Sequence, residues 1–99
     1  MTDVWDDDEF AGSVWLTETG DHRYLRVDYE GQWVGIHEFH LHPVTGRPCG
    51  GWAPFAGTAL DTGNGWTVES LEPLTLSPSL LCRICGNHGF IRAGRWIEA

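Results

Sequence analysis

The chain has 99 residues, enough for one domain with a core modest enough to profit from a metal staple. It is 41% hydrophobic and 12% aromatic with six tryptophans, which is the material of a globular fold. Its formal net charge is −8 and its six basic residues are all arginines, a balance that argues against nucleic-acid and anionic-membrane binding; no apolar run reaches the roughly 18 residues that cross a bilayer.

Residues 1–10 read as an acidic, loosely tethered tail in which only Trp5 and Phe10 could dock, and residues 11–99 as a single β-rich domain. Ser13–Thr17 is a short apolar strand. Gly20-Asp21 turns the chain into Arg23–Glu30, where Leu25, Val27 and Tyr29 alternate with polar neighbours, the period of a strand. Glu30-Gly31 closes a hairpin onto a second strand, Gln32–His42. Alternation puts Trp33, Gly35, His37, Phe39 and Leu41 on one mainly apolar face, where His37 is expected to be a core histidine. Val34, Ile36, Glu38, His40 and His42 share the other face, whose polar end reads as an exposed strand end.

Residues 42–54 are rich in Gly and Pro and read as loop. Short strands are expected at Trp66–Ser70 and Leu74–Leu76. Ser77-Pro78 has the form of a helix start, predicting one or two turns from Pro78 to Ile84 that Gly86 would end. Phe90–Arg92 and Arg95–Glu98 close the chain as a hairpin. The fold class predicted is mainly β, a small antiparallel sheet or partial barrel with one short helix near the C-terminus.

The N-terminus is acidic, unlike a secretion signal, and three cysteines make an odd count. Both features favour reduced thiols and a cytoplasmic setting over a disulfide scaffold. Cys82-x2-Cys85 is the spacing by which two thiolates reach one Zn²⁺ from a tight turn. Gly86 leaves the backbone free to approach the sulfur, and His88 follows. Cys49 is the best further ligand, with His42 or His40 next, so Cys49, Cys82, Cys85 and His88 form a chemically complete set for a structural zinc. Glu38, His40 and His42 could also present a carboxylate and two imidazoles from one strand to a metal or a substrate.

Leu74-Thr-Leu-Ser-Pro-Ser-Leu80, Cys85-Gly-Asn-His88-Gly-Phe-Ile91 and Gly94-Arg-Trp96 together resemble a family of small uncharacterised proteins of bacteriophages and of bacterial operons for ubiquitin-like protein conjugation. The resemblance spans roughly the last half of the chain, from Pro48-Cys49-Gly50 to Trp96. It departs from the family in lacking the cysteine-dense Cys-Pro-Cys-Gly-Cys segment and in adding Cys82. The resemblance implies a peptidase-like serine hydrolase acting on a ubiquitin-like protein or its conjugates, in a phage setting as a counter-defence protein in the host cytosol. Ser79 is the matching nucleophile, with His88 as base, His40 or His42 as alternatives and Glu38 as an orienting carboxylate. A helix beginning at Pro78 would supply Ser79 with backbone N–H groups for an oxyanion. His88 cannot be both zinc ligand and base. The alternative from another class is a non-catalytic, zinc-stabilised module that binds a protein partner, and a weaker one is an acidic DNA mimic.

Overall fold

The computed structural model describes residues 4–99; residues 1–3, including Asp3 of the acidic run, lie outside the described residues. The chain is mainly β. The first sheet contains β1 (Val14–Trp15), β2 (His22–Tyr29), β3 (Gln32–Leu41) and β4 (Pro48–Pro54), all antiparallel and in that order. Glu30 (φ 50°) and Gly31 (φ 80°) make a two-residue turn between β2 and β3 with both residues left-handed, a geometry that suits the twist of a hairpin. A two-stranded ladder of β5 (Thr67–Leu71) and β6 (Leu74–Ser77) follows. The last sheet contains β7 (Leu80–Leu81), β8 (His88–Arg92) and β9 (Arg95–Glu98).

Backbone hydrogen bonds join the three sheets: Trp96 N–H donates to Leu16 O at 2.9 Å and Gly94 N–H to Leu74 O at 2.8 Å. Between them lies one core of Leu16, Tyr24, Ile36, Ala53, Phe55, Leu74, Leu76, Leu80, Ile91 and Trp96. Each sheet donates one apolar face to it, as a small layered β domain requires.

The acidic segment before β1 forms two 3-10 turns, Val4–Asp6 and Asp8–Phe10. Phe10 is buried and packs edge-on against Phe39 at 5.0 Å. The Arg23 guanidinium lies over the rings of Trp5 (5.1 Å) and Trp15 (4.1 Å), so aromatic docking holds this stretch despite its charge.

Three local expectations are corrected. Residues 48–54 are a strand and not loop, in full register with β3 from Leu41↔Pro48 to Gly35↔Pro54. Its glycines serve close approach: a Cβ at Gly50 would run into the Glu38 carbonyl, whereas one at Gly51 would meet nothing. Gly50→Ala is therefore expected to cost about 1–3 kcal/mol, and Gly51→Ala to be nearly neutral, as thermal melts of the two would check. No helix forms at Pro78–Ile84. Leu80 is instead drawn into the core and pairs with Gly89, and the chain then turns at Cys82. His37 is exposed and not a core residue, its ring 5.2 Å from that of Trp52 on the outer sheet face. The inward face is that of Val34, Ile36, Glu38 and His40, so two of the three polar residues expected at a solvated strand end, Glu38 and His40, are buried, and His42 is half-buried.

Candidate metal centre

Two turns of the same build frame the site. In the first, between β3 and β4, His42 N–H donates to Arg47 O at 2.8 Å and Gly46 N–H to His42 O at 2.9 Å. In the second, between β7 and β8, Cys82 N–H donates to Asn87 O and Gly86 N–H to Cys82 O, both at 2.8 Å. The fifth position of each is a left-handed glycine, Gly46 (φ 68°) and Gly86 (φ 81°), because an L side chain is strained there. The second turn carries cysteine at its first and fourth positions; the first carries His42 and Thr45 there.

His42 is used inside its own turn, where Nδ1 accepts from the N–H groups of Val44 (3.1 Å) and Thr45 (3.4 Å). On this side the donors come instead from the strands flanking the turn. His40 and Cys49 are direct cross-strand partners, so their side chains leave the sheet on one face. They meet Cys82 and Cys85 of the second turn. His40 Nε2 stands 3.0 Å from Cys85 Sγ and 3.3 Å from Cys49 Sγ, and Cys82 Sγ is 3.9 Å from Cys49 Sγ.

All four donor atoms lie within 4.8 Å of one another. Sulfurs held at ~2.3 Å from a tetrahedral ion sit about 3.8 Å apart, so this set has the size of a single-ion site. No disulfide competes for the thiols. The cluster could hold a metal ion with one imidazole and three thiolates.

Protonation of the donors competes with that use. Burial would lower the His40 pKa, but the hydrogen bond and charge of Glu38, helped by Cys85, raise it to about 9. Burial and the neighbouring sulfurs push Cys49 up to about 12. Burial works against Cys85 too, but the Asn87 N–H, then His40, bring its thiol down to about 7. A metal must therefore displace protons from His40 and Cys49.

Behind the donors lies a buried carboxylate. Glu38 Oε2 is 2.9 Å from His40 Nδ1, and Glu38 Oε1 is 2.8 Å from His22 Nδ1. Burial would raise the Glu38 carboxyl, but these two hydrogen bonds overcome it and hold its pKa below the usual value. The His22 ring stacks on Trp96 at 4.3 Å, anchoring the far end. With its Nδ1 proton engaged by Glu38, His40 presents Nε2 to the sulfurs in one tautomer and one orientation. Sequence reasoning missed His22; its only signal was position, opposite His40 in the β2–β3 hairpin.

Of the residues read from sequence, Cys49, Cys82 and Cys85 converge, and His40 stands with them. His88 is outside the cluster. It is exposed on β8, its Nε2 2.7 Å from Ser79 Oγ. Ser79 lies in the extended link between β6 and β7 and not at a helix N-terminus, so a helix offers it no oxyanion donors. Glu38 faces His22 and His40, and His40 faces the sulfurs rather than Ser79.

Among the described residues no helix is long and apolar enough to cross a membrane. No family model matches the chain, and no curated protein or solved structure matches it either.

Proposed function

We propose that the protein is a zinc-stabilised, protein-binding module. The observation that carries this reading is the closed donor set of His40, Cys49, Cys82 and Cys85. Three soft thiolates with one imidazole suit Zn²⁺, and four protein ligands leave no open position for a water or a substrate, the mark of a structural rather than a catalytic site. The ion would join β3–β4 to β7–β8. The exposed apolar residues then suit the module to a protein partner in the cytosol.

Native mass spectrometry is expected to give one zinc per chain. The zinc should be lost in Cys82→Ser and His40→Ala and kept in His88→Ala. Zinc retained by His40→Ala but lost by His88→Ala would assign the fourth ligand the other way and overturn this site.

The Ser79–His88 pair supports a second reading, the serine hydrolase suggested by the resemblance of the last half of the chain. Ser79 Oγ would attack the scissile carbonyl carbon of a ubiquitin-like protein or its conjugate while His88 Nε2 takes the proton and returns it to the leaving amine as the C–N bond breaks, and water would then hydrolyse the acyl-enzyme. A zinc ligated by His40 leaves His88 free for this role. A fluorophosphonate probe should then label Ser79, and labelling should be abolished in Ser79→Ala and fall roughly 100-fold or more in His88→Ala. An unlabelled wild type leaves the pair a surface hydrogen bond.

A further inference from the structure

The two twin turns have tips as well as feet. At their third positions stand Val44 and Ile84, 86% and 67% exposed, and Leu81, at the foot of the second turn, is 57% exposed. Aliphatic side chains this exposed gain nothing from the fold. The turns could carry polar residues at these positions at no cost to the backbone pattern, since that pattern is made by N–H and C=O groups and the glycines.

Charge marks the same place. All fourteen acids fall outside residues 39–60 and 73–97, the two segments that contain the turns. Each turn carries one arginine, Arg47 and Arg83, both exposed. The other four are engaged: Arg23 over Trp5 and Trp15, Arg26 with Asp28, Arg92 over Phe90 and Arg95 with Glu18. Arg47 and Arg83 have no ion-pair or ring partner among the described residues. Three thiolates on Zn²⁺ would add one net negative charge at the feet of the turns, which the two guanidinium groups outnumber. On a chain of net charge −8 these two segments are the basic exception.

Resting on the binding-module reading, we propose that the tips of the twin turns form its docking surface, with Val44, Ile84 and Leu81 as apolar contacts and Arg47 and Arg83 as flanking cations. The occupant is an acidic segment of a protein partner that carries aliphatic side chains between its carboxylates. Arginine meets carboxylate in a bidentate fork, and aliphatic contact supplies the apolar centre. A nucleic acid is disfavoured, because stacking on bases calls for aromatic rings and these tips have none. The metal's part is to hold the two tips in fixed relation, which lowers the ordering cost of binding.

The test uses zinc-loaded, ¹⁵N-labelled full chain and three probes: a ten-residue peptide of alternating Asp and Leu, its Lys/Leu counterpart and a twelve-nucleotide oligothymidine. The Asp/Leu peptide is expected to shift the amides of residues 44–47 and 81–85 selectively. Its Kd should rise at least tenfold in Val44→Ser/Ile84→Ser and in Arg47→Gln/Arg83→Gln, and should rise with salt. An unchanged spectrum away from the turns shows that each variant is folded, which separates failure of this surface from failure of the metal site. Equal binding of the Lys/Leu peptide, shifts elsewhere on the molecule, or stronger binding of oligothymidine would overturn the proposal. So would a concentration-dependent sedimentation coefficient of the protein alone that Val44→Ser/Ile84→Ser abolishes, since the surface would then serve self-association.

Discussion

Removing the metal is expected to unfold the domain rather than loosen one corner of it. A domain of this size has a net stability of about 5–15 kcal/mol, and a structural zinc contributes an apparent ~10–16 kcal/mol at neutral pH, so the ion's contribution is as large as the whole margin. The geometry gives the same answer. β7 is only two residues long and runs directly into Cys82, and Leu80, Ile91 and Trp96 of the last sheet make up part of the core. If the second turn is released, these three lose their anchor together. A strong chelator should therefore abolish the near-ultraviolet circular dichroism of the tryptophans, Trp96 above all, and added Zn²⁺ should restore it. Binding must displace protons from His40, raised to about 9, and Cys49, raised to about 12, so the apparent metal affinity should fall steadily as pH drops. A melt unaffected by chelation would mean that the Leu16–Ile36–Leu76 core is sufficient and the cluster is ornamental.

What the sequence disclosed follows from which forces act locally. The β2–β3 hairpin was legible because side-chain alternation and the Glu30-Gly31 turn are short-range signals. So were Cys82, Cys85 and Cys49, since an odd count with one Cys-x2-Cys pair points to metal binding before a disulfide framework. β4 was hidden by its composition: Gly50 and Gly51 look like loop, yet Gly50 is glycine because the Glu38 carbonyl sits where its side chain would be. The helix at Pro78–Ile84 was a sound local reading that lost to tertiary demands, the burial of Leu80 and the turn from Cys82 to Cys85. The inward direction of His40 could not be read either, because a half-apolar, half-polar strand face is ambiguous until its partners are known. What settles it is the cross-strand pairing of His40 with Cys49 and the approach of Cys85 from 45 residues further along the chain, neither visible along one strand.

That carboxylate carries the second large expectation. Glu38 is 4% exposed and accepts from both His22 and His40, so it fixes the tautomer of the one nitrogen ligand and neutralises charge in a buried place. Glu38→Gln keeps its volume but not its charge, and is expected to weaken metal binding about 10–100-fold, the usual effect of losing such a partner. Glu38→Ala should be worse. It strands two imidazole N–H groups in the interior, and breaking a buried ionic network costs about 3–5 kcal/mol. Competition with a chromophoric chelator would measure the first effect and thermal melts the second. Glu98 is the internal control: its carboxylate is 3.6 Å from His22 Nε2 but 64% exposed, so solvent screens it and Glu98→Gln should change little. If Glu38→Gln bound zinc as the wild type does, the His40 orientation would have to come from the sheet alone, through the Cys49 pairing. Glu38 would then be a structural anchor for His22 and Trp96 rather than a partner of the metal.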